Sequence, residues 1–419
     1  MGQPYYGSAV GEDADGGRSP GAGTGNPRVE EWRLVTTHYL DHAATTDMRP
    51  ESVAAWCQYA GSARNPSSIH GAGRAAWRVV EDARDLIRGC LAGKSAAHVV
   101  FTSGGTEADN LAVLGLARAA RGKNPERTTV VVSPLEHHAV GRAAEHLVRE
   151  GFSLVELPVT RAGVVDVAAT GELIARHAGT LALVTCMRVN NEIGTVQPVR
   201  ELAVAAGTYG VPFHCDGVAG PLDAGRELFT GGPGSTGVTM ALSAHKIGGP
   251  MGVGALVIAP STALEPQTFG GDQEMRLRSG TLPVPLIAAF AAGLSAAAGD
   301  DASRVKRLSG RLAGILAEVG AVVVGADVPR SPAITYALFP GCTGQDLVML
   351  LDARGIHVSV GSACAAGVPE PSHVLLALGY TATEALSGLR FSLGWSSTDA
   401  DLDALAAALP EVVATARGL

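Results

Sequence analysis

From about residue 97 the chain alternates short apolar, β-branched runs with longer stretches of helical character. Ala97–Phe101, Thr128–Ser133, Ser153–Val159, Leu181–Cys186, Pro212–Asp216, Val238–Ala244 and Gly252–Ile258 read as strands. Glu107–Ala120, His138–Arg149 and Pro198–Gly207 read as helices between them, the last with proline at a favourable first position. Such βαβ alternation predicts a mostly parallel sheet with helices on both faces. Past a helix at Leu286–Gly299 the character changes. A helix at Arg304–Val319, then segments at Ala321–Val324, Ala333–Phe339, Gln345–Arg354, His357–Val360 (a strand), Ser372–Leu378, Leu389–Leu393 and Ala400–Ala416, predict a smaller α+β domain.

Composition narrows the class. Hydrophobic residues make up 46% of the chain, enough for a sizeable core, and charged ones only 17%. The formal net charge of −8 leaves no basic footprint for nucleic acid. The 54 glycines follow no collagen-like period and fit many tight βα turns. Six cysteines (Cys57, Cys90, Cys186, Cys215, Cys342, Cys364) are irregularly spaced with no Cys-x-x-Cys pair, which argues against a zinc ribbon or a thioredoxin-type site. A chain of this size with scattered thiols and no export signal points to a reducing, cytoplasmic compartment. Residues 1–35 read as a disordered tail, since they are polar and glycine-rich and lack the apolar stretch of a signal peptide. No run of about 18 apolar residues is present to span a membrane.

The chain has only four lysines, and Lys246 stands apart from the other three. Lys94, Lys123 and Lys306 sit among polar neighbours, whereas Lys246 follows the apolar run Val238–Leu242 and precedes a glycine-rich turn. A lysine at a strand end, partly desolvated and with a lowered pKa, is an amine nucleophile of the Schiff-base kind; a buried structural lysine is the alternative. Other segments supply what a pyridoxal phosphate site needs. Thr102-Ser103-Gly104-Gly105-Thr106 lies between a strand and a helix, where backbone N–H groups and a hydroxyl seat a phosphate, although threonine there is also an ordinary helix cap. Asp216 closes an apolar strand and can pair with a protonated pyridine nitrogen or cap the next turn. His137 follows a strand and can stack on a ring. Asn191 and Arg390 are of the types that bind a carboxylate. Cys364 lies among small residues in a loop predicted to be mobile, either as a reactive thiol or as a buried apolar side chain. His70–Ala76 matches a dinucleotide-binding fingerprint, but a turn and not a strand precedes it, so that reading is set aside.

Tyr39-Leu40-Asp41-His42-Ala43-Ala44-Thr45-Thr46, Asn65-Pro66-Ser67-Ser68, Thr102–Asn110, Glu136-His137, Val189–Gly194, Ser243–Pro250, Arg278-Ser279-Gly280-Thr281, Gly361–Cys364, Glu370-Pro371-Ser372-His373 and Arg390–Gly394 occur in this order. Together they resemble a cysteine desulfurase of the NifS/IscS type, a class V member of the fold-type I pyridoxal phosphate enzymes, from about residue 36 to the C-terminus. The resemblance implies a large cofactor-binding domain (48–299) with a mostly parallel seven-stranded sheet, and a small α+β domain (36–47 and 300–419) carrying the cysteine loop. It implies that Lys246 links covalently to pyridoxal 5′-phosphate, that Asp216 holds the pyridine nitrogen, and that His137 stacks on the ring and shuttles protons. Gly105, Thr106, Ser243 and His245 would bind the phosphate, with Thr281 reaching over from the other subunit of a homodimer. Asn65, Asn191 and Arg390 would hold the carboxylate of L-cysteine. Cys364 would take its sulfur as a persulfide, release alanine and pass the sulfur to an acceptor protein.

The chain departs from the pattern at three places. Asp216-Gly217-Val218-Ala219 has alanine where the family has a glutamine; Gly270–Arg276 gains Asp272 and has Met275 in place of an arginine; and the chain ends soon after Ala416. A dedicated sulfur acceptor is therefore at least as consistent as general iron–sulfur assembly. Two other readings stay open at this level: a different class V enzyme such as a β-lyase or selenocysteine lyase-like protein, and a weakly catalytic sulfur-relay scaffold.

Overall fold

The β-branched run Thr129–Val132 is buried along its whole length, as a strand covered on both faces must be. The structure containing it is a computed structural model that describes residues 37–61, 64–93, 95–229, 237–361 and 370–418. The tail expected at 1–35 and the loop cysteine Cys364 lie outside the described residues. In chain order the strands are β1 (His38–Tyr39), β2 (His98–Thr102), β3 (Thr129–Val132), β4 (Ser153–Glu156), β5 (Leu181–Thr185), β6 (Phe213–Asp216), β7 (Val238–Ser243), β8 (Gly254–Ile258), β9 (Val322–Val323), β10 (Ile334–Leu338), β11 (Ile356–His357) and β12 (Gly388–Ser392).

Seven of them form one sheet in the order β2-β8-β7-β6-β5-β3-β4. Every neighbouring pair from β7 to β4 is parallel, and β8 runs antiparallel to both β7 and β2. Apolar side chains pack on both faces. One face holds Val80, Ile87, Phe213 and Phe290, the other Leu111, Val140, Leu147 and Leu256. The protein is thus α/β, with the mostly parallel seven-stranded sheet expected of fold-type I. A three-stranded sheet, β12-β10-β9, packs with helices Ala302–Glu318 and Asp399–Ala416 around Leu312, Leu347, Phe391 and Leu405. The two-residue strands β1 and β11 pair in parallel and join the start of the described chain to this region.

Some sequence expectations shift. The strand expected at His357–Val360 is Ile356–His357, and beyond it Ser359 makes only an isolated bridge to Arg390. Pro198 caps the helix Val199–Thr208 instead of opening it. Helices at Pro50–Ala60, Gly71–Ala92, Val167–His177, Pro221–Phe229 and Ala382–Leu386 were not anticipated. Gly71–Ala92 contains most of the rejected dinucleotide fingerprint; among the described residues none of 64–70 ahead of it forms a strand, and the His70 ring caps it by accepting the Gly73 N–H at 3.2 Å.

Candidate active site

The C-terminal ends of β2, β6 and β7 open on the same side of the sheet, into a cavity of about 950 Å³. This edge is where open α/β sheets bind ligands. The helix Gly105–Lys123 starts at the cavity wall. Its first N–H groups have no intrahelical acceptors, and its dipole adds partial positive charge there, so the wall is an anion seat. Thr106, Ser243 and His245 line the same cavity. Gly105 must lack a side chain: a Cβ would stand 2.8 Å from Val218 Cγ2 and 3.4 Å from Ser243 Cβ.

Lys246 ends a short turn, Ala244–Lys246, that continues β7 into the cavity. Its ammonium donates to the carbonyls of Ala43 and of Ala44, the latter at 2.8 Å. Burial, followed by the positive charge of Arg390, pulls its pKa down to about 8; the carboxylates of Asp216 and Asp41 oppose the shift. A sizeable amine fraction therefore exists near neutral pH. In the cofactor-free protein, acylation of Lys246 followed by peptide mass spectrometry is expected to rise with a midpoint near pH 8. Arg390→Met is expected to move that midpoint upward, because removing a nearby positive charge favours the ammonium.

Asp216 ends β6 with its carboxylate 4% exposed and accepting the Val218 N–H at 2.9 Å. Burial raises its pKa, while the Val218 N–H and the charges of His137 and Lys246 hold it down. Asp109 and Glu136 are buried nearby, and burial, reinforced by the negative charge of Asp216, pushes both well above the usual carboxylate range. His214 Nε2 lies 3.1 Å from Asp109 Oδ1, and its Nδ1 lies 2.9 Å from Thr239 Oγ1. Burial takes the His214 pKa to about 3, so the ring between Asp109 and Thr239 is neutral.

His137 caps the helix His138–Arg149, with Nδ1 accepting the Ala139 N–H at 3.1 Å. The neutral ring therefore carries its proton on Nε2. Burial lowers the His137 pKa, the Asp216 carboxylate resists that shift, and the Lys246 charge adds to it. Arg390, on β12, donates from Nη2 to Asp41 Oδ1 at 2.7 Å and from Nη1 to the Asn191 carbonyl at 3.0 Å. Its Nε is buried without an acceptor among the described residues.

Residues 38–405 match the aminotransferase class V family. The chain belongs to that family. An IscS-like cysteine desulfurase of Mycobacterium tuberculosis is 42% identical to this class V chain, over 90% of this chain and 97% of that protein. A cysteine desulfurase of Cereibacter sphaeroides is 38% identical, over 91% and 97%. Among solved structures, a NifS-like protein superimposes with a TM-score of 0.79 at 28% identity, covering 91% of this chain and all of its own. DndA from Streptomyces lividans does so at 0.67 and 33% identity, covering 84% and 99%.

In this class V chain the cavity gathers Gly105, Thr106, His137, Asn191, Asp216, Ser243, His245, Lys246 and Arg390. Asn65 and Thr281 do not line it. Both are exposed, and Asn65 Oδ1 instead accepts the Ser67 N–H in its own turn at 2.9 Å. Ala219 lines the cavity. Asp272 pairs with Arg276 on the surface, and Met275 is half exposed in a left-handed turn. Two contacts near the cavity carried no role in the sequence reading. Thr45 Oγ1 lies 3.1 Å from His245 Nδ1, and Glu107 accepts Arg278 Nε at 2.9 Å. The Asp41–Thr46 motif was visible as part of the resemblance, but its partners were not.

Proposed function

We propose that this chain is a pyridoxal phosphate-dependent cysteine desulfurase that converts L-cysteine to L-alanine, holding the sulfur as a persulfide on Cys364 for an acceptor protein. The observation that carries the reading is the single cavity in which the half-buried amine of Lys246 meets the buried carboxylate of Asp216 and a helix N-terminus. That donor set fits the cofactor: an amine for its aldehyde, a carboxylate for its pyridine nitrogen and an anion seat for its phosphate. The names of the relatives support it, as does a structural neighbour at 29% identity and a TM-score of 0.70 described as SspA in complex with cysteine.

When bound, the cofactor supplies an electron sink for the bonds at the amino acid's α-carbon. Gly105, Thr106, Ser243 and His245 seat the phosphate, joined by Thr281 from the neighbouring subunit of a homodimer. Asp216 keeps a positive pyridine nitrogen paired in a buried setting. His137 would stack on the cofactor ring, and its Nε2, the nitrogen that the Ala139 N–H does not engage, would be the one to shuttle a proton. Arg390 and Asn191 orient the substrate carboxylate. The Cys364 thiolate attacks the substrate sulfur. An S–S bond forms, the Cβ–S bond breaks, and its electron pair with a proton becomes part of the alanine methyl group.

Gly105→Ala is expected to weaken cofactor binding by about 1–3 kcal/mol, because the added methyl forces the helix start away from Val218. Titration of cofactor into the apoprotein, with circular dichroism as the folding control, reads this directly. The function itself is tested by measuring alanine and sulfide together after adding L-cysteine to the loaded enzyme. Cys364→Ser is expected to keep the cofactor and lose sulfide release. Sulfide release by that variant at the wild-type rate would favour a β-lyase instead.

A further inference from the structure

The anion seat is formed by the turn between β2 and the helix Gly105–Lys123, and a second segment of chain is fastened to that turn at two points. Just ahead of the turn, the Glu274 carboxylate accepts the Phe101 N–H at 2.6 Å. Arg84 holds the same carboxylate from Nη2 at 2.7 Å and from Nη1 at 3.0 Å. At the helix start, Glu107 accepts the Ser103 N–H on one oxygen at 2.7 Å and Arg278 Nε on the other at 2.9 Å. Ser103 and Glu107 both line the cavity. The segment that contains Glu274 and Arg278 therefore rides on the seat itself.

Between its anchors that segment is braced. The Ser279 N–H donates to Thr268 Oγ1 at 3.2 Å, Ser279 Oγ donates to the Gly271 carbonyl at 2.8 Å, and the Gly280 N–H donates to Gln273 Oε1 at 3.1 Å. Glu274, Met275 and Arg276 are three successive non-glycine residues in the left-handed region, at φ 47°, 56° and 65°. Such backbone persists only where its surroundings over-determine it, and the buried carboxylate of Glu274 is the contact that does so. A segment held in this way passes on a displacement of Arg278 instead of absorbing it.

Thr281, three residues beyond Arg278, is exposed and does not line the cavity whose seat holds that arginine. One end of the segment thus rests on a subunit's own seat while the other, on the reading given above, completes the seat of its neighbour. A phosphate arriving at the helix start places negative charge beside the Glu107–Arg278 pair. It repels the carboxylate and attracts the guanidinium, so the balance of the pair depends on whether the seat is filled.

We propose that Glu107 and Arg278 are positioning residues that couple the two phosphate seats of the dimer: filling one seat fixes, through Arg278, the segment that carries Thr281 into the other. The inference rests on the reading of Thr281 as part of the neighbouring subunit's site. Coupling between two binding sites is reciprocal, so each filled seat strengthens the other by the same factor.

The test is a binding measurement and needs no turnover, so absent sulfide production would sink the desulfurase reading alone. Cofactor is titrated into the apoprotein and bound sites are counted from the visible band. In the wild type the second site is expected to bind about fivefold more tightly than the first, seen as a Hill coefficient above one. Pyridoxal, which lacks the phosphate, is expected to bind with a coefficient of one. Arg278→Met should bring the cofactor's coefficient down to one, and Arg278→Lys should restore part of the difference. A pair with a merely structural role would weaken cofactor and pyridoxal alike and leave the coefficients as they were, which overturns the proposal. Equal coefficients for cofactor and pyridoxal in the wild type overturn it as well, even if the variants fail to fold. Sedimentation and Thr281→Ala test the underlying reading separately. A monomer, or a Thr281→Ala dimer with unchanged cofactor affinity, removes that reading and the proposal with it. A dimer whose affinity depends on Thr281 but whose sites fill independently overturns the coupling alone.

Discussion

Lys246→Ala is expected to abolish the covalent visible band of the loaded enzyme and to reduce turnover by several orders of magnitude. No other lysine among the described residues lines the cavity, so no second amine is positioned to replace it. Removing the amine while keeping its volume is expected to act oppositely on the empty protein. The folded-state pKa of Lys246 is depressed to about 8, so below that value an ammonium is held in a site that disfavours it. Lys246→Met, which keeps the volume, should therefore raise the melting temperature of the cofactor-free protein at pH 7. The advantage should shrink as pH rises through about 8, where the wild-type group sheds its proton. A variant that keeps the covalent band would remove Lys246 from the mechanism, and thermal scans at several pH values check the stability arm.

Asp216→Asn is the second large effect. Deleting one partner of a buried charge pair is worth about 3–5 kcal/mol, so cofactor affinity should fall by roughly two to four orders of magnitude. Equilibrium titration of the apoprotein measures it. Without cofactor the sign reverses. Burial raises the Asp216 pKa, so its favourable neutral form is fully populated below the ordinary carboxylate range and is lost as pH rises through the folded-state value. Asp216→Asn should therefore stabilise the empty protein at pH 8 and make little difference at pH 4. Opposite signs in the loaded and empty states separate a cofactor-pairing carboxylate from a merely structural one; loss of stability in both would assign Asp216 to the fold.

The legible part of the molecule was the part whose signal is local. Strands β2, β3, β5, β6 and β7 are apolar runs bounded by turns, and the glycine-rich and polar segments at the C-terminal ends of β2, β6 and β7 marked Thr106, Asp216 and Lys246 from residue type alone. The helix Gly71–Ala92 carries apolar positions at helical spacing, Ala76, Val80, Ala83, Ile87 and Leu91, all buried, but its glycine-rich start drew attention to the fingerprint instead. Val167–His177 carries an Asp166 cap, but the irregular polar loop ahead of it masks the helical signal. Strand His357–Val360 was overextended because its apolar alternation continues, whereas beyond His357 the backbone turns to Arg390 through a single bridge. The ion pair of Asp41 with Arg390 joins residues 349 positions apart, and no local pattern contains that information. Asn65 and Thr281 were placed by resemblance alone: Thr281 was expected in the neighbouring subunit's site, and Asn65 lies outside the cavity it was expected to line.

That long-range stitching has a consequence for how the protein is made. The stretch from His38 to Thr46 emerges early from the ribosome, yet it pairs with β11 and with Ser392 and Arg390 on β12. At a synthesis rate of about 5–20 residues per second, its partners follow roughly 20–70 s later. The β-sheet from β2 to β8 can assemble meanwhile, with Lys246 in place but without the carbonyls that grip it. The nascent chain therefore passes through an interval in which its reactive amine is exposed and its substrate site does not exist, and only a nearly complete polypeptide can close the cavity.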